Sequence, residues 1–241
     1  MAHDVVLLHG FTHTGASWDP VVAALAERYR ALAPDIRGHG AAARPEPVSL
    51  EGVLDDLAAL APARFTLVGY SMGGRIALHA AVAPELAGRV ERLVLIGASP
   101  GIADPAERAE RRSADDRLAG EVERMSTEEF ARRWAQTPVL AGQPPAVEAS
   151  VHADRLRNRP SGLAAALRGL GTGALPSLWD RLPEVRSPVT LIVGERDVKF
   201  RTIASDMARR LPDADVVVVA DVGHAVHLEA PERVAEVVAT L

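Results

Sequence analysis

The segment from Phe65 to Gly74 constrains the fold of this chain more than any other. Its first residues, Phe65 to Val68, form an apolar run typical of a short buried strand. The apolar segment after Gly74 has helical spacing, and the turn between the two reads Gly-Tyr-Ser-Met-Gly. A serine on such a turn exposes its hydroxyl, and glycines on both sides leave room for a strained backbone. The bare pattern also occurs as an ordinary glycine-rich turn, but the flanking strand and helix favour a nucleophile at Ser71.

Strand-like and helix-like segments alternate along most of the chain. Strand patterns occupy residues 4–9, 31–34, 65–68, 92–97, 188–194 and 215–220, and helical patterns occupy 18–29, 50–60, 76–82 and 231–241. This alternation predicts an α/β fold with a mostly parallel sheet and helices on both faces. Between about residues 104 and 182 only charged helical segments broken by prolines occur. We therefore assign residues 1–99 and 184–241 to an α/β core, and 100–183 to a helical cap, or lid, over the site.

Composition limits the classes of function. The 241 residues include no cysteine, which excludes disulfides, a thiol nucleophile and a thiolate metal site. A net charge of −5 gives no electrostatic reason to expect nucleic acid or a membrane surface as a partner. No signal-peptide pattern and no membrane-spanning apolar run occur, so we expect a cytoplasmic protein. No histidine–carboxylate spacing suggests a metal, and no strand precedes the glycines at 169, 171 and 173, so we expect no cofactor.

A serine hydroxyl becomes reactive when an imidazole, itself held by a carboxylate, takes its proton. In a fold of this kind the carboxylate and the histidine follow the serine in that order, each just after a strand. Asp197 lies three residues beyond the strand that ends at Gly194, and His224 follows the strand at 215–220. We predict a catalytic triad of Ser71, Asp197 and His224.

Other residues compete for these roles. Glu195 is a weaker candidate for the acid of the triad, and Asp221 is interpreted as a turn residue. His227 lies three residues beyond His224 and is the less favoured base. His9 is interpreted as structural, with its ring fixing the first loop by hydrogen bonds.

The oxyanion hole of such a site uses two backbone N–H groups. One belongs to the residue after the nucleophile, Met72. The other is expected from the first-strand loop, at Phe11.

With these residues, the chain resembles the α/β-hydrolase fold over essentially its whole length. Within that superfamily it is similar to the 2-succinyl-6-hydroxy-2,4-cyclohexadiene-1-carboxylate (SHCHC) synthases of menaquinone (vitamin K2) biosynthesis. The similar segments are residues 69–75, 99–102, 106–112, 134–139, 155–168, 171–173, 177–179 and 194–200. The matches in the cap and the Gly-Glu-Arg-Asp-Val-Lys-Phe stretch are the most particular. The sheet is expected to have about six strands, because the chain begins at the strand that leads into His9.

The resemblance implies a lyase that eliminates pyruvate from SEPHCHC, a tricarboxylated cyclohexene, with the triad acting as a base. Carried over by motif, the substrate-binding residues are Tyr70, Arg75, Arg111, Trp134 and Arg155. The partner is then a small polycarboxylate, and the protein a monomer or small homo-oligomer. The alternative function is a serine carboxylesterase or thioesterase, which shares the triad; a non-catalytic relative is a third possibility.

Arg75 has a physical argument of its own. It lies four residues after Ser71, one turn along the same face of an otherwise apolar helix. A guanidinium there needs an anionic partner, which is either a substrate carboxylate or an internal salt bridge. Arg111 and Arg155 have neighbours that an alignment slip would select instead: Arg108, Arg112 and Arg157.

Overall fold

A six-stranded sheet forms the centre of the protein, with strand order β2-β1-β3-β4-β5-β6 and every neighbouring pair parallel. The computed structural model describes residues 3–43, 46–140 and 142–240. The strands are β1 His3–Leu8, β2 Tyr29–Leu32, β3 Phe65–Tyr70, β4 Val90–Ile96, β5 Val189–Gly194 and β6 Ala214–Val219. The predicted parallel sheet of about six strands is confirmed.

Helices connect the strands and cover the sheet. Before β5 they are α1 Asp19–Ala24, α2 Leu50–Leu60, α3 Met72–Ala80, α4 Pro84–Ala87, α5 Pro105–Val122, α6 Thr127–Ala135, α7 Pro145–Arg155 and α8 Pro160–Leu170. After β5 they are α9 Val198–Ala208, α10 Val226–Glu229 and α11 Pro231–Thr240. None of these described helices is both long and apolar enough to cross a membrane.

The sheet carries an apolar layer on each face. Successive residues of a strand point to opposite faces, so Leu67 joins the layer that includes Ile76 of α3, whereas Val68 joins the layer that includes Val234 of α11. All four side chains in this example, like most of the central strands, are buried. Because both faces are covered, the strands are continuous apolar runs rather than alternating ones.

The segment between β4 and β5 holds helices α5 to α8, and α5 packs along α8. These helices have a small apolar cluster of their own, which includes Phe130, Leu163 and Leu167. Ala166 and Leu170, on the same helix α8, belong instead to the core layer beside α3. The inserted helices are therefore joined to the sheet domain through α8, next to the end of β3.

The structure corrects some predicted boundaries. The helix expected over residues 18–29 ends at Ala24, because the backbone turns extended at Leu25 and β2 already begins at Tyr29. Helix α9 was not predicted, since only Ala204 and Met207 of its residues are buried and the apolar stripe is narrow. The helix over residues 50–60 is confirmed, with the Ser49 hydroxyl capping its first turn through the N–H of Gly52 at 3.2 Å.

Candidate active site

Ser71 occupies the sharp turn between β3 and α3. Its φ is +50°, a left-handed value that is uncommon for a residue other than glycine. The turn fits closely against β1, since a Cβ atom on Gly73 would lie 2.2 Å from the carbonyl oxygen of Leu8. This close approach explains the glycine at that position. The serine hydroxyl is thereby held at the carboxyl edge of the sheet.

Three predicted residues meet at this edge. The Nδ1 atom of His224 lies 2.6 Å from Oδ2 of Asp197, and its Nε2 atom lies 3.3 Å from Oγ of Ser71. The side chains of His224 and Asp197 are only 4% and 7% exposed. The ring of Phe200 packs against the imidazole with centroids 4.5 Å apart. The serine, histidine and carboxylate thus have the order and spacing of a catalytic triad.

The loop that carries His224 is held from two sides. The carboxylate of Glu229, buried in α10, accepts the backbone N–H of Gly223 at 3.0 Å and pairs with Arg196 at 2.8 Å. On the other side, a Cβ atom on Gly97 would come within 2.8 Å of the imidazole, so the backbone at Gly97 lies directly against the ring. These contacts hold the loop, and with it the imidazole of His224, in position.

The competing candidates have other contacts. Glu195 accepts the backbone N–H of Asp221 at 3.1 Å, and Asp221 itself lies in a turn with φ of +56°. His227 is fully buried, with its ring 4.2 Å from that of Tyr70 and 4.6 Å from that of Trp18. The interaction with Ser71 is made by His224.

A cavity of about 260 Å³ opens in front of Ser71 and His224. Its walls are mostly apolar, and three cationic side chains, Arg75, Arg111 and Lys199, line it as well. The apolar lining consists of Phe11, Met72, Trp134, Val139, Ala166, Leu167, Leu170 and Phe200. A mostly apolar cleft with a few convergent charges is the usual form of a small-molecule site.

Arg75 places an unpaired charge in this cavity. Among the residues that the structure describes, no carboxylate forms a salt bridge with it, and its Nε atom is buried without a hydrogen-bond partner. Burial and, to a smaller extent, the charge of Arg111 lower the pKa of the Arg75 guanidinium to about 10. It therefore remains cationic at neutral pH. Among the described residues the internal salt bridge considered from the sequence is not formed, and Asp115 acts on Arg75 only through its charge, which leaves the guanidinium available to an anionic ligand.

Arg111 is held differently. Its Nε atom donates to the buried carboxylate of Asp115 at 2.7 Å, and its side chain is 46% exposed. The same carboxylate lies 3.4 Å from the backbone nitrogen of Gly173, and a Cβ atom on Gly171 would approach it to 2.7 Å. The Gly-Thr-Gly stretch thus packs closely around Asp115. The carboxylate of Asp115 in turn holds the Nε edge of Arg111, and the rest of the Arg111 side chain lines the cavity.

Lys199 was not predicted as a site residue. It lies in the first turn of α9, two residues after Asp197, and lines the cavity beside Phe200. Its position in the Gly-Glu-Arg-Asp-Val-Lys-Phe stretch was the available signal. Because α9 was not predicted, nothing in the sequence pattern showed which way this lysine points.

Phe11 and Met72, the expected oxyanion-hole residues, both line the cavity. Met72 is the first residue of α3, where backbone N–H groups have no acceptor within the helix. The ring of Phe11 packs edge-on against Trp134 of α6, with centroids 5.0 Å apart. Trp134, predicted as a pocket residue, therefore both lines the cavity and contacts the loop that carries Phe11.

Two other predicted substrate-binding residues do not line this cavity. Tyr70 is the last residue of β3, so its side chain points to the opposite face of the sheet from the cavity and is 2% exposed. Burial raises the pKa of its hydroxyl well above the ordinary value. Arg155 is 3% exposed at the end of α7, where its Nε atom lies 3.4 Å from the hydroxyl of Thr12. Both residues lie behind the loop of Phe11 instead of in front of Ser71.

Behind Ser71 lies a cluster of buried histidines that the sequence did not predict as a group: His9, His13, His39 and His227. His9 has a defined role, since its Nε2 atom accepts the N–H of Ile36 at 2.9 Å and its Nδ1 atom contacts the carbonyl of Gly10 at 2.8 Å. Burial lowers the pKa of His9 to about 4 and that of His39 to about 3. At neutral pH these rings are uncharged and serve as hydrogen-bonding and packing groups, as expected for His9.

Comparison with known proteins places this geometry in a family. The model of the "Alpha/beta hydrolase family" matches residues 5–237. The chain belongs to this family. It is also 33% identical over 252 residues to the 2-succinyl-6-hydroxy-2,4-cyclohexadiene-1-carboxylate synthase of Salmonella schwarzengrund, with 100% of this chain and 94% of that protein covered. A Bacillus subtilis protein provisionally given the same name is 37% identical over 245 residues, covering 97% of this chain and 88% of the relative.

Solved structures agree with the sequence relatives. The structure of MenH from S. aureus superposes with a TM-score of 0.93 at 30% identity, covering 99% of this chain and 92% of that one. The α/β-hydrolase fold and the similarity to SHCHC synthases expected from the sequence are confirmed.

Proposed function

We propose that this protein is an SHCHC synthase, a carbon–oxygen lyase that eliminates pyruvate from SEPHCHC in menaquinone biosynthesis. One observation carries the proposal. An unpaired arginine, Arg75, faces the same cavity as a Ser–His–Asp triad, in a chain whose full-length relatives bear the name of this synthase. A tricarboxylated substrate provides the anion that this guanidinium lacks.

The triad acts in this proposal as a base. Asp197 accepts a hydrogen bond from the N–H at Nδ1 of His224, which keeps the proton on Nδ1 and leaves Nε2 unprotonated and directed at Ser71, 3.3 Å away. His224 takes the proton of the serine hydroxyl, and the serine oxygen removes a proton from the substrate ring. The electrons of the broken C–H bond form the ring double bond as the C–O bond to the pyruvyl group breaks. The leaving enolate receives a proton through His224 and is released as pyruvate.

Negative charge develops on the substrate in this step, and the site has donors for it. The N–H groups of Phe11 and Met72 are proposed as the oxyanion hole. Arg75, Arg111 and Lys199 line the same cavity and are proposed to bind the carboxylates. Among them Arg75 is the most important, because it has no salt-bridge partner among the described residues and its Nε atom is buried, whereas Arg111 already pairs with Asp115.

Residues 100–183 act in this proposal as the cap of the active site. Trp134 of α6 and Leu167 of α8 form walls of the cavity, whereas Ser71 and His224 come from the sheet domain. The substrate is thus enclosed between two parts of the chain that contribute different groups. Closing the cavity to water strengthens the charge interactions within it.

The second candidate is a serine carboxylesterase or thioesterase. Two observations favour it: the family is that of hydrolases, and the walls of the cavity are largely apolar. In that reaction Ser71 would attack an acyl carbon directly and form a covalent intermediate. The two functions use the same triad and differ in their need for Arg75.

Two assays on the purified protein separate the functions. The first measures pyruvate release from enzymatically generated SEPHCHC, above the spontaneous rate, and the second measures cleavage of a short-chain aryl ester. The proposal predicts fast pyruvate release with negligible ester cleavage, both absent in Ser71→Ala. Fast ester cleavage without pyruvate release above background would assign the protein to the hydrolases instead.

A further inference from the structure

The end of helix α7 is hydrogen-bonded to the loop that follows β1. The carboxylate of Asp154 accepts the backbone N–H of Thr14 at 3.0 Å and its hydroxyl at 2.5 Å. The Nδ1 atom of His13 lies 3.3 Å from the same carboxylate. One buried side chain of the inserted helices therefore contacts two consecutive residues of the loop.

Asn158 makes a second set of contacts, one turn further on. Its amide nitrogen donates to the carbonyl of Thr12 at 2.8 Å, and its amide oxygen accepts the backbone N–H of Gly40 at 3.1 Å. Asn158 is 4% exposed. Asp154 and Asn158 together with Thr12 and Thr14 form what we call the loop clamp.

The clamp holds the loop in a strained conformation. Thr12 is fully buried and has a φ of +71°, a left-handed value that β-branched residues rarely adopt. Such a conformation persists where surrounding contacts over-determine it. Here the carbonyl of Thr12 is held by Asn158, and its hydroxyl lies 3.4 Å from Arg155. Without these contacts the backbone at Thr12 would relax toward a common conformation, and its neighbour Phe11 would move with it.

The charge of Asp154 is maintained by the loop itself. Burial alone would raise the pKa of this carboxyl, but the close approach of His13 and the hydrogen bonds from Thr14 together outweigh burial and hold its pKa below the ordinary value. Asp154 is therefore an anion at neutral pH, and its partners are the loop's own donors. The neighbouring Arg157 is a minor partner, 3.9 Å away and 65% exposed.

We propose that Asp154 and Asn158 are positioning residues of the active site, which fix the Phe11 N–H in the oxyanion hole through the strained Thr12. The proposal rests on the oxyanion role that the proposed function gives to Phe11. It makes part of the cap necessary for catalysis, although neither Asp154 nor Asn158 is among the residues that line the cavity. A purely structural role would instead attach the cap to the sheet domain without affecting the reaction step.

The test uses two readouts. The first is kcat and KM for pyruvate release. The second is the rate at which a small aryl phosphonate modifies Ser71, which depends on the oxyanion donors and not on recognition of carboxylates. The variants are Asp154→Asn and Asn158→Ala. The matched control is Glu148→Gln, an exposed acid in the first turn of the same helix.

For both clamp variants we expect kcat to fall about 10- to 100-fold with KM changed less than about threefold, because a displaced catalytic group costs rate more than binding. Phosphonate modification should slow by a similar factor, and Glu148→Gln should match the wild type. Folded clamp variants with unchanged modification rates would overturn the proposal, as would a loss confined to KM.

A second pair of variants covers the case in which Asp154→Asn does not fold. Thr14→Val removes the hydroxyl that donates to Asp154, whereas Thr14→Ser keeps a hydroxyl at the same place. Slow modification in Thr14→Val with recovery in Thr14→Ser supports the clamp, and equal rates contradict it. If the wild-type protein reacts with the phosphonate but releases no pyruvate, the proposed function fails and modification rates alone decide the clamp. If neither reaction occurs, the role of Phe11 fails and the clamp with it.

Discussion

The cavity in front of Ser71 and the histidine cluster behind it contain different basic groups. In front of it, the cavity is lined by arginine and lysine side chains, with Arg75 buried at Nε and unpaired among the described residues. Behind it, the clustered histidines His9, His13, His39 and His227 are buried and their pKa values are lowered, so that they are neutral at pH 7. Positive charge for a substrate in the cavity therefore comes from arginine and lysine side chains and not from these histidines. The histidines behind the serine contribute packing and hydrogen bonds instead.

The largest expected effect lies at the boundary between the two sides. Replacing Ser71 with alanine removes the oxygen that His224 activates, so pyruvate release should fall about 10²- to 10⁴-fold, the usual contribution of a positioned base. Circular dichroism and thermal unfolding should resemble the wild type, because Ser71 is only partly buried. Residual activity within tenfold of the wild type would show that His224 acts without the serine.

The next effect concerns Asp197, which orients the imidazole. Asp197→Asn keeps the shape of the side chain but favours the tautomer with the proton on Nε2, so kcat should fall about 10²- to 10³-fold. Glu195→Gln is the matched control, since Glu195 bonds to the backbone of Asp221. Steady-state kinetics of the two variants decides the matter. Unchanged turnover in Asp197→Asn, or a larger loss in Glu195→Gln, would show that Asp197 is not the acid of the triad.

Arg111 should have a smaller effect than the triad. Its charge is shared with Asp115 and its side chain is 46% exposed, so Arg111→Ala should raise KM for the polycarboxylate about three- to tenfold, with kcat nearly unchanged. The control is the exposed neighbour Arg112→Ala, which should leave both constants as they are. A greater effect of Arg112→Ala would mean that the neighbouring arginine is the one in the site.

The histidines behind the serine should make the fold sensitive to mild acid. A histidine with a pKa of about 4 in the folded protein binds its proton more tightly when unfolded. Above the unfolded pKa of about 6.5 the ring is neutral in both states and does not affect the free energy of unfolding. As the pH falls from there toward the folded pKa, only the unfolded state binds the proton, so the free energy of unfolding decreases. For His9 the loss should reach about 2 kcal/mol at pH 5. Urea unfolding between pH 7.5 and 5 measures it, and a free energy of unfolding that stays constant would contradict neutral buried histidines.

The sequence predicted the front of the site better than the back. Ser71, Asp197 and His224 were predictable because each follows a strand at a spacing that the chemistry requires, and parallel strands bring their carboxyl ends together. Arg75 was predictable from its distance of one helical turn from the serine. In these cases a local pattern and the order of strands are sufficient.

The back of the site depends on contacts between distant parts of the chain. The loop clamp joins Thr14 to Asp154, 140 residues apart, and no local pattern indicates such a pairing. Tyr70 illustrates the same limit, because its place beside the nucleophile is evident from sequence but the face of the sheet on which its side chain lies is not. Lys199 was missed since the helix that presents it has too few buried residues to be recognised.

In the proposed function, Arg75 decides which reaction this triad performs. The most direct measurement compares Arg75→Ala with the wild type on two substrates, SEPHCHC and an uncharged aryl ester, with Arg75→Lys as the conservative variant. We expect kcat/KM for pyruvate release to fall about 10- to 100-fold in Arg75→Ala, because a charge-assisted hydrogen bond to a carboxylate is lost. The lysine variant should recover part of the activity, and any ester cleavage should stay the same or rise. Pyruvate release at the wild-type rate, or an equal loss on both substrates, would contradict the claim.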